Sequence, residues 1–198
     1  MRRNAHVRFG GRTGETHHPK GRQGAPARPY TQVLTREGWV YISLLQDGFS
    51  RRILGFTASS SKGVQLVERT LLQAVSARKR ANPLFIGDGV IVHSDAGSQY
   101  TSLAFTEKLL DLGLAGSVGR VGTAYDNALI GGTIGLHKTE LINRRGIGGD
   151  SRQELETATA RWVAWFNRDR LHAELGYRTP IELELEYVLE QGLPRQAA

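Results

Sequence analysis

From residue 30 onward the apolar side chains first recur at every second position and then, past residue 61, at every third or fourth. That switch of period restricts the chain to a sheet with helices packed on it. Residues 30–34 are a short strand candidate. Thr35-Arg36-Glu37-Gly38 is a hairpin turn, with Gly38 supplying the permissive backbone. Residues 39–45, rich in β-branched and aromatic side chains, read as a buried strand. Asp47-Gly48 opens the next turn, and residues 52–57 complete an antiparallel meander. Over 62–81, Val64, Leu66, Val67, Leu71, Leu72, Ala74 and Val75 take helical spacing, with Ser60 or Ser61 as N-cap and Asn82-Pro83 as the stop. The run Val90-Ile91-Val92 before His93 suits a strand covered on both faces. Further helices are expected at 102–112, 128–143 and 152–168, with Gly113 as the C′ residue of the first. A fifth strand is expected at 114–118, and a last short helix begins at Thr179-Pro180. The predicted fold class is α/β, a mixed five-stranded sheet flanked by helices.

Charge divides the chain where the periodicity begins. Of 26 basic and 19 acidic residues, eight basic ones (Arg2, Arg3, Arg8, Arg12, Lys20, Arg22, Arg28 and Arg36) and only Glu15 among the acids fall before residue 37. The whole net charge of +7 therefore sits in that segment. Residues 1–29 carry Val7 and Phe9 as their large apolar side chains, too little to offset the entropy of ordering. They are expected to form a disordered basic tail, suited to polyanions or simply solvated. Residues 30–189 are expected to form the domain and 190–198 a second tail. With no cysteine, disulfides and thiolate metal sites are excluded. No apolar run is long enough to span a membrane, and no signal-peptide pattern is present, so a cytoplasmic protein without a membrane partner is expected.

Four stretches carry a more specific pattern. The first runs from Asp47 through Ser50, Arg51 and Arg52 to Gly55. The second runs from His93 through Asp95 and Gly97 to Ser102. The third joins Tyr125-Asp126-Asn127-Ala128-Leu129 to Lys138-Thr139-Glu140-Leu141. The fourth runs from Trp165 through Asn167 and Arg170 to His172 and on to Arg178-Thr179-Pro180. In order and spacing these resemble the integrase catalytic core of insertion-sequence transposases of the OrfB type, within the retroviral-integrase or DDE superfamily. The resemblance covers about residues 37–187 and implies an RNase H-like architecture. It also implies DNA transposition by metal-dependent strand transfer. In such chemistry paired Mg²⁺ or Mn²⁺ ions, held by hard oxygen ligands, activate the attacking oxygen and stabilise the leaving one. DNA is the implied partner, with a second copy or an intact transposase as further candidates.

Three carboxylates normally hold those metals, and the resemblance places one of them here. Asp95 matches the second, at the C-terminal end of a buried strand, where it is either the metal ligand or the cap of the turn at Ala96-Gly97. The third is a Glu 35 residues further on, a position occupied by Gly131. Counting back from Gly38-Trp39 places Pro29 at the first. Upstream of Pro29 the resemblance stops, and residues 1–29 are expected to be foreign to the domain. Asp126 is the nearest substitute ligand, although an acid before a helix also serves as N-cap. Glu140 lies too far along the helix to replace position 131. Asp47 is expected to make a turn or to pair with Arg51 or Arg52. Lys138, Arg144 and Arg145 are candidate DNA contacts, with a solvated lysine and a helix-dipole role as the alternative readings. The chain thus reads as a catalytically inactive copy, or as a DNA-binding or dimerising module without catalysis. Trp162, Trp165 and Phe166 are expected in the core.

Overall fold

The computed structural model describes residues 6–9 as backbone, together with residues 30–94, 97–118, 128–144 and 151–190. β1 is His6–Phe9, β2 Thr31–Thr35, β3 Gly38–Asp47 and β4 Ile53–Ser59. α1 (Val64–Ala81), β5 (Ile91–Ser94), α2 (Leu103–Asp111) and β6 (Ala115–Val118) follow. The chain then forms α3 (Ala128–Leu136), a π-helical segment (His137–Asn143), α4 (Arg152–Arg168), a 3₁₀ turn (Ala173–Leu175) and α5 (Pro180–Glu190). Gly38 has φ 109°, as the hairpin turn requires, and Gly113 has φ 70° just past α2.

The sheet runs β2-β3-β1-β5-β6, with β4 on the other edge of β3. It holds six described strands where five were expected. The extra one, β1, lies in the segment expected to be disordered. β2 pairs with Gly38 to Ile42 and β1 with Leu45 to Asp47, so the two lie end to end along one edge of β3. Only Ser43 and Leu44 separate their registers. β1 is antiparallel to β3 and parallel to β5, with Arg8 opposite His93, and it links the meander to the β5–β6 half. Four residues of period two are too short a local signal. Two long-range ladders, not local propensity, make this segment a strand.

Successive residues of β3 face opposite layers. Leu45 joins Leu54, Val67, Leu71, Val92 and Phe105 beneath α1 and α2. Leu44 joins Ile42, Ile130, Leu141, Leu155 and Phe166 beneath α3 and α4. Gly55 permits the closest helix approach, because a Cβ there would lie 2.5 Å from the Thr70 carbonyl oxygen. The N-cap of α1 is Gly63, without a side-chain bond, rather than Ser60 or Ser61. Trp162 and Phe166 are buried as expected, whereas Trp165 is 42% exposed, one position off the face they define. None of the described helices is long and apolar enough to cross a membrane.

Candidate functional site

β1, β2, β4, β5 and β6 all run in one direction, so their C-terminal ends converge on one end of the sheet. In open α/β sheets that end collects the functional groups. Here it gathers Ser94, the last residue of β5, and Gln99, whose Nε2 donates to the Lys62 carbonyl at 3.2 Å. His93 is half-buried, and its Nδ1 lies 3.1 Å from Ser117 Oγ on the paired strand β6. This contact gives His93 a place in the sheet's packing.

Asp95, Asp126, Arg145 and Pro29 lie outside the described residues. Gly131, in the first turn of α3, is buried and brings no side chain to the site. Its turn is nonetheless held firmly. Thr133 Oγ1 donates to Gln46 Oε1 on β3 at 2.9 Å, and Gln46 Nε2 donates to the Arg51 carbonyl at 2.7 Å. Neither Gln46 nor Thr133 stood out in the sequence, because their complementarity arises only when α3 crosses β3. Lys138 sits half-buried in the π-helical segment and Arg144 is exposed at its C-cap. α-Helical spacing holds from Gly131 to Leu136 and gives way to π-helical spacing at His137, so the seven residues to Lys138 are not the two regular α-helical turns expected. Among the described residues no three His, Asp or Glu side chains converge as a metal site requires.

The other acids near the motifs are committed to the scaffold. Asp47 Oδ1 accepts from the Phe49 and Ser50 amides, the expected turn, but its ion pair is with Arg78 at 2.7 Å. Arg51 pairs instead with Glu174, and Arg52 with Glu184 at 2.6 Å. Glu184 also receives Arg78 at 2.8 Å and the Ser50 hydroxyl at 2.9 Å, which pins α5 to the β3–β4 turn. Burial alone would raise its pKa, but Arg78 and Arg52 hold it below the usual carboxylate value. Glu140 accepts from Arg170 and from Trp162 Nε1. His137 is fully buried, with Nε2 3.1 Å from Thr159 Oγ1 and its ring edge-on to Trp162. Burial, reinforced by the charge of Lys138, lowers its pKa to about 4. Asn167 donates to the Ile53 carbonyl at 2.9 Å and accepts from the Ile53 amide at 2.8 Å, taking the place of a strand partner. Much of the fourth motif is therefore a clamp on the fold.

Two models, both described as the integrase core domain, match residues 28–124 and 112–180. The chain is 43% identical over 164 residues to the protein assigned as transposase of insertion sequence element IS986/IS6110 in Mycobacterium tuberculosis, covering 83% of this chain and 58% of that one. It is 39% identical to the transposase for IS629 of Shigella sonnei, covering 82% and 52%. Among solved structures, the catalytic core domain of BIV integrase superposes with a TM-score of 0.57 at 17% identity, covering 82% of this chain and 95% of that one. The HTLV-2 integrase catalytic core domain in complex with magnesium gives 0.59 at 16%, covering 90% and 93%. These likenesses establish the RNase H-like fold of integrase cores. The chain belongs to the integrase core domain family, on its insertion-sequence transposase side. It spans somewhat over half the length of these curated relatives.

Proposed function

We propose that this chain is a transposase-type integrase core that keeps the family's scaffold and a DNA-facing surface but performs no strand transfer. The observation that carries this reading is Gly131. The first turn of α3, where the resemblance puts the third carboxylate, holds Gly131, which has no side chain, and is bonded through Thr133 to Gln46. The strand in the central slot, His6–Phe9, contributes no carboxylate either. Asp95 alone cannot bridge two Mg²⁺ or Mn²⁺ ions and also fix their remaining ligands. No catalytic step is therefore assigned to a metal pair here. DNA, a second copy and an intact transposase are the proposed partners. The nucleic-acid contacts would come from the basic tail, Lys138, Arg144 and Arg145, which neutralise phosphate without reading sequence.

A strand-transfer assay on the element's own terminal repeats tests this. The wild-type chain is expected to be inactive in both Mg²⁺ and Mn²⁺. Gly131→Glu combined with Pro29→Asp is the smallest change that restores the family's ligand set. Mg²⁺-dependent activity in the wild type, lost on Asp95→Asn, would overturn the inactive reading and make Asp126 the leading substitute ligand.

A further inference from the structure

The sheet is covered unevenly on its α1 side. Leu45 points there, so alternation along β3 turns Tyr41 and Trp39 to the same face. Leu34 stands opposite Trp39 on β2, and Ser59 opposite Tyr41 on β4. α1 lies over the Leu45–Gly55 pair through Thr70 and Ala74, and it begins at Val64, about 9 Å nearer the β2–β3 turn. Trp39 is six residues from Leu45, about 20 Å along the strand. The helix therefore stops short of it. Trp39 is left 50% exposed and its neighbour Leu34 57%.

Trp39 and Tyr41 stand two residues apart on one strand, about 6.6 Å between their Cα atoms. Tyr30, itself buried, meets Tyr41 edge-on with 5.0 Å between ring centroids, which fixes the second ring. The free charge around them has one sign. Arg36 in the turn and Lys62, three residues past Ser59, are exposed and make no ion pair among the described residues. Between residues 30 and 67 the acids are Glu37 and Asp47. Glu37 accepts from the Arg152 amide of α4, in the opposite layer, and Asp47 is paired with Arg78 at the far end of β3.

We propose that this uncovered face binds single-stranded nucleic acid. Two successive unpaired bases stack on Trp39 and Tyr41, Leu34 extends the apolar floor beside Trp39, and Arg36 and Lys62 meet the phosphates. A duplex cannot use the rings, because its bases are already stacked on one another. A second copy apposed here would bring its own Arg36 and Lys62 against these two, a like-charge cost that a polyanion avoids. The face lies in the layer opposite α3, apart from Lys138 and Arg144. The inference rests on the function proposed above in taking DNA as the partner. It adds a preference for unpaired strands, which phosphate contacts alone do not give.

Fluorescence anisotropy of a labelled oligothymidylate, and of a duplex of equal length, tests the site on the full chain. Trp39→Leu keeps an apolar side chain without a ring. It is expected to weaken single-strand binding about tenfold and to leave duplex affinity unchanged. Trp39→Phe, which keeps a ring, should retain most of the affinity and so separates lost stacking from misfolding. Arg36→Gln with Lys62→Gln should flatten the single-strand salt dependence by about 0.7 per lost contact. A wild-type chain that binds duplex but not oligothymidylate overturns the site and leaves the proposed function standing. A Trp39→Leu chain that binds oligothymidylate like wild type does the same. A chain that binds neither nucleic acid overturns both. A dimer that Trp39→Leu weakens and oligothymidylate does not displace, seen in sedimentation, assigns the face to a second copy and also overturns the site.

Discussion

His137 shows how a single side chain can set the acid limit of the fold. Folded, the ring is neutral, because its pKa lies near 4 against 6.5 when exposed. Unfolding lets it take up a proton, so its contribution is complete above pH 6.5 and is lost as pH falls toward 4. The shift corresponds to roughly 3 kcal/mol between those limits. His137→Leu is expected to flatten the stability profile over that window, while the Thr159 hydroxyl turns to a carbonyl of its own helix. Urea unfolding at pH 4.5 and 7 would show it, and an unchanged slope would place the acid sensitivity elsewhere. In the sequence, nothing separates His137 from a surface histidine. Its burial is decided by Trp162 and Thr159, which reach it from α4. Asn167 is the opposite case. Its motif was visible, but the clamp on Ile53 that accounts for the residue was not.

Among the elements, the meander, the crossover helix and the apolar strand at β5 were legible because each repeats its period over several residues and ends at a turn or cap. Boundaries were less so. Ser60 and Ser61 promised a cap that the chain passes over, ending instead at Gly63. The helix expected over 128–143 widens into a π segment at His137, where the buried pair His137 and Leu141 must both face the core. Packing between elements was invisible until they met, and Gly55 is the sharpest instance. Gly55→Ala is expected to push α1 off β4 and cost about 1–3 kcal/mol, read as a lower denaturant midpoint at unchanged m-value. An unaffected midpoint would mean that the helix shifts freely and that the contact with Thr70 is not limiting.

At the scale of the whole molecule, the α/β class and its helix layers followed from the order of elements, while the sixth strand did not. β1 joins the two halves of the sheet through its ladders to β3 and β5, so Val7→Pro removes a ladder donor where no edge can absorb the loss. The orphaned acceptor by itself costs about 1–3 kcal/mol. A Tm equal to wild type would show that β1 contributes nothing to the stable sheet. The same strand governs how the tail's role in DNA binding must be measured, since truncating residues 1–29 removes charge and β1 together. Replacing Arg2, Arg3, Arg12 and Arg22 by Gln leaves His6–Phe9 intact. If the tail binds phosphate, duplex affinity should fall and the salt dependence should flatten by about 0.9 per lost contact. Unaltered salt dependence would move the contacts to Lys138 and Arg144.

The end-to-end arrangement of β1 and β2 also bears on how the chain reaches its native state. Val7 must find Asp47 and His6 must find Ile91, pairings of high sequence separation, whereas the β2–β3 and β3–β4 hairpins close locally. Local hairpins form first and distant ladders last. Until β1 arrives, β3 and β5 each present an open strand edge in the middle of the protein, the kind of edge that pairs with another chain. The slowest step of folding and the window of greatest aggregation hazard therefore coincide, and four residues near the amino end close both.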